Sequence, residues 1–272
     1  MEPLERAEAR AESEPLAQPG VGTETEVAAC IDCGQPFERE VTLIEGRRIA
    51  YPRCSVCDVR IGEENRAHAE RIADAQSPKA SFARLAAAGV NVRKFGHLTL
   101  ETMGKSLAQS AALTFALEVK RAGPWDFVRG LYVAGPTGVG KSQLAVSTLR
   151  ELLEAGYQGR IVFDRARALI TTIQDRYGTG TVEQVEAQRR TAGVWCLDDI
   201  GTEKPTADAF RILEDMLDAR EGHPTILTSN LTPVELAEHW SAIDVQGRLR
   251  SRLGPQNYRA VVIEGDDRRM VA

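Results

Sequence analysis

From about residue 90 onward, short apolar runs alternate with stretches of helical period. L-Y-V-A (131–134), I-V-F (161–163), V-W-C-L (194–197), T-I-L-T-S (225–229) and R-A-V-V-I (259–263) each predict a short strand. The intervening segments predict helices. Lys105 to Arg121 sets Leu107, Ala111, Phe115 and Val119 four apart. Others are expected from the end of the first strand's loop to Ala155, through about Tyr177, over 206–220 with Phe210, Leu213 and Leu217 inward, from Pro233, and over about 243–253. Strand and helix in alternation predict a three-layer α/β domain around a parallel sheet over residues 90–272.

The first 89 residues follow another pattern. Residues 1–26 are Glu- and Ala-rich with little to build a core, and read as a disordered acidic tail. Residues 27–61 form a compact unit around four cysteines, with a hairpin expected to turn at Glu45-Gly46. Residues 62–89 are charged and Ala-rich, and read as a helical linker broken at Pro78.

Composition narrows the class. The chain has 272 residues, 43% hydrophobic and 27% charged, which suits a globular protein. No apolar run approaches the roughly 20 residues a membrane helix needs, and the N-terminus lacks a signal core, so a cytoplasmic location is expected. The net charge of -5 resides in residues 1–26. The neutral remainder lacks the broad basic footprint of a nucleic-acid-coating protein.

The chemistry begins where the first core strand ends. Gly135, Pro136, Thr137, Gly138, Val139, Gly140, Lys141 and Ser142 match G-x-x-x-x-G-K-[ST] in full, with Gln143 following. Glycines let the backbone wrap a phosphate, and N–H groups at a helix start face the anion. Lys141 is expected at the β- and γ-phosphates of ATP, and Ser142 on Mg2+. V-W-C-L-D-D-I-G ends in two acids. Asp198 is expected to hold Mg2+ through water, and Asp199 to orient or deprotonate the attacking water. Cys196 reads as a small buried residue. Asn230 stands just past the fourth strand, where an amide can either sense the γ-phosphate or cap the next helix. Arg248 and Arg252 share a helical face and suit either phosphoryl stabilisation or a solvated surface.

Cys30, Cys33, Cys54 and Cys57 form C-x₂-C-x₂₀-C-x₂-C, a spacing close to that of zinc sites. Two such knuckles offer four thiolates to a closed, structural Zn2+. Arg47, Arg48, Arg53 and Arg60 with Tyr51 are candidates for nucleic-acid contact, and a protein-docking surface fits as well.

Residues 85–270 resemble the DnaC/DnaI-type helicase loaders and the related IstB-type transposition ATPases of the AAA+ class. The resemblance rests on G-P-T-G-V-G-K-S, L-D-D-I-G-T-E-K-P-T, T-S-N-L-T-P-x-E-L and G-R-L-R-S-R-L. It implies Asn230 as sensor 1 and Arg252 as the arginine that reaches a neighbouring subunit's ATP, with Arg248 beside it. It implies Arg269 as the late arginine that senses nucleotide in cis. It also implies ATP-dependent homo-oligomers on single-stranded DNA, with an N-terminal domain gripping a replicative DNA helicase. AAA+ proteins usually carry Glu where this chain has Asp199, one methylene shorter, which implies weaker water activation. The alternatives are an IstB-like transposition helper and a nucleotide-switched adaptor with little hydrolysis. The stretch F-G-H-L-T-L (95–100) is a candidate adenine pocket by analogy.

Overall fold

The computed structural model describes residues 21–44, 47–75, 77–95, 97–123, 126–177 and 181–267. The chain divides into two compact units, and the division falls after Arg71.

In the first unit, β1 (Val21–Ala29), β2 (Pro36–Ile44) and β3 (Arg47–Ala50) form an antiparallel sheet in that order. α1 begins at Ser55 and runs to Ala75. The hairpin expected from sequence is present as β2 and β3, with Ile44 opposite Arg47; its turn, Glu45-Gly46, lies outside the described residues. β1 occupies residues read from sequence as the end of a tail. Its G-T-E-T-E stretch has no apolar alternation to announce a strand. Charge ties it in instead. Glu26 accepts from Arg39 of β2 at 2.7 Å and from Arg48 of β3 at 2.8 Å.

The second unit continues through α2 (Pro78–Ala87), α3 (Val92–Phe95), a 3-10 turn (Glu101–Met103) and α4 (Leu107–Arg121). Strand and helix then alternate: β4 (Gly130–Ala134), α5 (Lys141–Glu154), β5 (Ile161–Arg165), α6 (Ala166–Asp175), α7 (Val182–Arg190) and β6 (Val194–Ile200). The unit closes with α8 (Ala207–Ala219), β7 (Thr225–Ser229), α9 (Pro233–His239), α10 (Arg248–Arg252) and β8 (Tyr258–Val262).

Its five strands are all parallel, in the order β5-β6-β7-β4-β8. Period-two alternation divides their side chains between two cores. Leu131, Val133, Val194, Cys196 and Ile226 face one core, with Phe115 of α4 and Leu149 of α5. Tyr132, Ala134, Trp195, Leu197 and Leu227 face the other, with Leu169 of α6 and Leu213 of α8. Both faces are covered, which is why these strands read as unbroken apolar runs.

Three helices depart from expectation. In α4, Leu107 is exposed while Ala108, Ala112, Phe115, Ala116 and Val119 are buried. Leu107 is the first helical residue, next to the cap Ser106, and precedes the packed stripe. α10 starts at Arg248, later than the 243 expected. Gly247 takes a left-handed φ of 66° and the Asp244 carboxylate accepts from the N–H groups of Arg248 and Leu249. α7 was not expected at all, because Val185 is its only buried residue.

Candidate functional site

The loop after β4 is held open by glycine. Gly135, Gly138 and Gly140 have φ of 146°, 85° and 106°, a region L side chains rarely adopt. A Cβ on Gly135 would also overlap the carbonyl of Ile263. The loop feeds directly into α5, whose first residue is Lys141. The start of α5 therefore turns its free N–H groups toward the loop.

Lys141 is buried, and its ammonium is anchored on three oxygens. It donates to the carbonyls of Gly135 (2.8 Å) and Pro136 (2.7 Å) and to Asn230 Oδ1 (2.7 Å). Asn230 does not cap α9. Thr232 does that, in a reciprocal box with Glu235. Tyr132 Oη donates to the Leu231 carbonyl at 2.8 Å and pins the segment that carries Asn230.

The acid pair stands on β6. The β6–β7 register shifts between Leu197 and Ile200, so β6 carries one extra residue there, a β-bulge. Asp198 stays buried and Asp199 is turned toward the cleft with φ of 60°. Burial pushes the Asp198 carboxyl up from its ordinary value; the Thr228 hydrogen bond and the nearby Ser142 hydroxyl oppose this, and the neighbouring Asp199 charge adds to it. Asp198 Oδ1 accepts from Thr228 at 2.7 Å, while Oδ2 is buried with no hydrogen-bond partner among the described residues. A buried carboxylate near the Ser142 hydroxyl, with one oxygen orphaned, fits a hydrated Mg2+ in chemistry and charge.

A cleft of about 430 Å³ joins these parts. It is lined by Thr137, Gly138, Gly140, Lys141, Ser142, Gln143, Asp199 and Asn230 from the predicted set. Lys94, Phe95, Arg165 and Thr202 line it too. Of these, only Phe95 falls in the stretch singled out from sequence. Arg165 carries no motif and becomes visible only because β5 ends beside β6. Glu203 lies within the L-D-D-I-G-T-E-K-P-T stretch. It is buried, and its carboxylate accepts from the Gly201 N–H at 3.0 Å, bracing the turn after the acids.

Arg248 and Arg252 lie outside this cleft. Arg248 pairs with Glu214 of α8 at 2.8 Å, and Arg252 pairs with Asp218 and Glu221. Arg269 lies outside the described residues.

In the first unit, the sulfurs of Cys30, Cys33, Cys54 and Cys57 all lie within 4.8 Å of one another. Cys33 and Cys54 are 3.8 Å apart, which matches the edge of a tetrahedron of about 2.3 Å Zn–S bonds. Backbone N–H groups, that of Cys54 first, pull the Cys30 thiol down to about 6. The neighbouring thiols, Cys33 foremost, push Cys57 up to about 12. A divalent ion would relieve the crowding that keeps Cys57 protonated. The basic residues around it are largely neutralised locally: Arg48 by Glu26, Arg53 by Asp32 at 2.7 Å and Arg60 by Glu64 at 2.9 Å. Tyr51 Oη donates to Asp58.

The strand–loop–helix cradle, the buried acid at the next strand's end and the five-stranded parallel sheet define a P-loop nucleotide-binding fold of AAA+ type. The IstB-like ATP binding protein model matches residues 97–252, and the chain belongs to that family. The replicative helicase loader DnaI of Bacillus subtilis (strain 168) is 33% identical over 118 residues, 42% of this chain and 37% of that protein. The chromosomal replication initiator protein DnaA of Methylibium petroleiphilum is 30% identical over 159 residues, 57% of this chain and 32% of that one. The chain thus spans about a third of the length of these curated relatives. A crystal structure of DnaI superposes with a TM-score of 0.55 at 24% identity, covering 63% of this chain and 94% of that one. The DnaC helicase loader gives 0.52 at 22%, covering 63% and 99%. These two share the fold. Among the described residues, no helix is long and apolar enough to cross a membrane.

Proposed function

We propose that this chain is an ATP-dependent helicase loader: it binds ATP with Mg2+, assembles with copies of itself on single-stranded DNA, and delivers a replicative helicase. The observation that carries the nucleotide part is the Lys141–Asn230 contact, together with the orphaned Asp198 oxygen. Bound Mg2+ supplies charge neutralisation between the phosphate oxygens. The chain's own residues do the rest. The loop N–H groups and Lys141 bind the phosphates, Ser142 and Asp198 hold the hydrated metal, and Asp199 orients a water. The Lys141 ammonium already has oxygen partners, among them Asn230 in the cleft, and phosphate oxygens compete with them directly. A phosphate that takes over Lys141 would release Asn230, which suits a role in registering whether a γ-phosphate is present.

Arg252 sits apart from its own cleft, which suits a role toward a neighbouring subunit's nucleotide. The cysteine unit suits a structural Zn2+. Its internally paired charges favour docking to a protein over docking to DNA. The second reading, a transposition helper, is favoured by the IstB-like family match itself. Pull-down of the full chain with ATP, against a replicative helicase and against a transposase, separates the two. The loader reading expects nucleotide-dependent capture of the helicase; capture of the transposase alone overturns it.

A further inference from the structure

We infer that Thr228 is the positioning residue for both acids of the site, setting Mg2+ affinity and turnover without touching nucleotide. The inference deepens the nucleotide reading above and rests on it. Thr228 is fully buried in β7 and does not line the cleft. Its hydroxyl makes two bonds of opposite sense. It donates to Asp198 Oδ1 at 2.7 Å and accepts from the Asp199 backbone N–H at 2.9 Å.

Both bonds fall where the backbone ladder is missing. The bulge in β6 interrupts pairing with β7 between Leu197 and Ile200. Side chains of β7 fill the gap: Thr228 holds Asp198 and Asp199, and Ser229 Oγ donates to the Ile200 carbonyl at 2.7 Å. Asp199 is the only non-glycine residue with positive φ among the described residues. Such a conformation is costly and persists only where its surroundings over-determine it. Thr228 supplies the bond that holds its amide. The same hydroxyl occupies one Asp198 oxygen and leaves the other, Oδ2, buried and without a partner among the described residues. One hydroxyl therefore fixes which oxygen of Asp198 faces Mg2+ and how far Asp199 turns toward the cleft. A threonine chosen only for strand packing would be replaceable by valine, which has the same shape and suits a buried strand equally well.

The test compares Thr228→Val and Thr228→Ser in the full chain. Mn2+ binding to the ADP-bound protein is read by electron paramagnetic resonance, metal-free nucleotide affinity by titration, and ATP turnover in parallel. Losing hydrogen bonds to a charged group predicts Mn2+ binding weakened about 10-fold or more in the valine variant. Its metal-free nucleotide affinity should stay within about twofold, and kcat should fall while KM changes little. The serine variant, which keeps the hydroxyl, should recover Mn2+ binding to within about threefold. Should the valine variant not fold, Thr228→Cys, near in shape with only a weak donor, makes the same comparison. Valine matching wild type in Mn2+ binding, or serine falling as far as valine, overturns the inference. Absence of metal–nucleotide binding in wild type instead overturns the nucleotide reading itself.

Discussion

Glu203 is a buried carboxylate, and its environment dictates how it answers to pH. Burial pushes its carboxyl up from the ordinary value of 4.5, against the pull of the Gly201 N–H bonds. A carboxyl raised by folding favours the folded state when protonated. That contribution is complete below pH 4.5 and is lost as pH rises through the higher folded value. Glu203→Gln keeps an acceptor for Gly201 and cannot ionise. The stability of wild type relative to Glu203→Gln should therefore be greatest in acid and decline as pH rises, read from urea midpoints across the acid range. A pH-independent difference would mean Glu203 is not titrating from a buried state. At this scale the chain was unevenly legible. Lys141, Ser142 and Asp198 announce themselves because phosphate and metal chemistry demand those types at fixed spacing. Thr228 and Arg165 do not, because each acts across a strand–strand contact that no local pattern encodes.

Between elements, Glu214 and Asp218 of α8 and Glu221 just beyond it meet Arg248 and Arg252 of α10. These pairs are largely exposed, so they contribute little to stability. Little therefore opposes Arg252 leaving them for a neighbour's phosphates. Arg252→Ala should leave Tm within a few degrees and nucleotide affinity unchanged, while ATP-dependent assembly weakens about 10-fold or more. Analytical ultracentrifugation with and without ATP checks this; equal assembly of wild type and variant would remove Arg252 from the subunit contact. The elements themselves were legible where apolar periodicity was strong, as in β4, β6, β7 and α8. They were not where charge or capping replaced it. β1 is held by Glu26 and its arginines, α7 buries one residue, and α10 begins where Asp244 and Gly247 start it. Ridges of apolar residues are visible in a sequence; a carboxylate that decides a helix start is visible only once folded.

At the scale of the molecule, the two units should respond differently to metal removal. The first unit has few buried apolar residues (Cys30, Val41 and Cys57 among those described), too small a core to hold a fold unaided. Zn2+ bound by four thiolates would supply that missing stability. One equivalent of zinc per chain is expected in purified protein by elemental analysis. Chelation should open residues 27–61 to protease while the thermal transition of the second unit persists. Loss of both units together, or absence of metal, would contradict a structural zinc site confined to the first unit. The cysteines and the change of hydrophobic pattern lead one to expect a separate N-terminal part, but the division itself falls after Arg71, inside the segment read as a linker.

The central claim concerns the cradle after β4, and calorimetric titration of ATP into the full chain tests it most directly. With Mg2+ present, one nucleotide should bind per chain, and Lys141→Ala should abolish the signal while remaining folded. A wild-type chain with no measurable affinity for ATP or ADP in Mg2+ would contradict the account at its root.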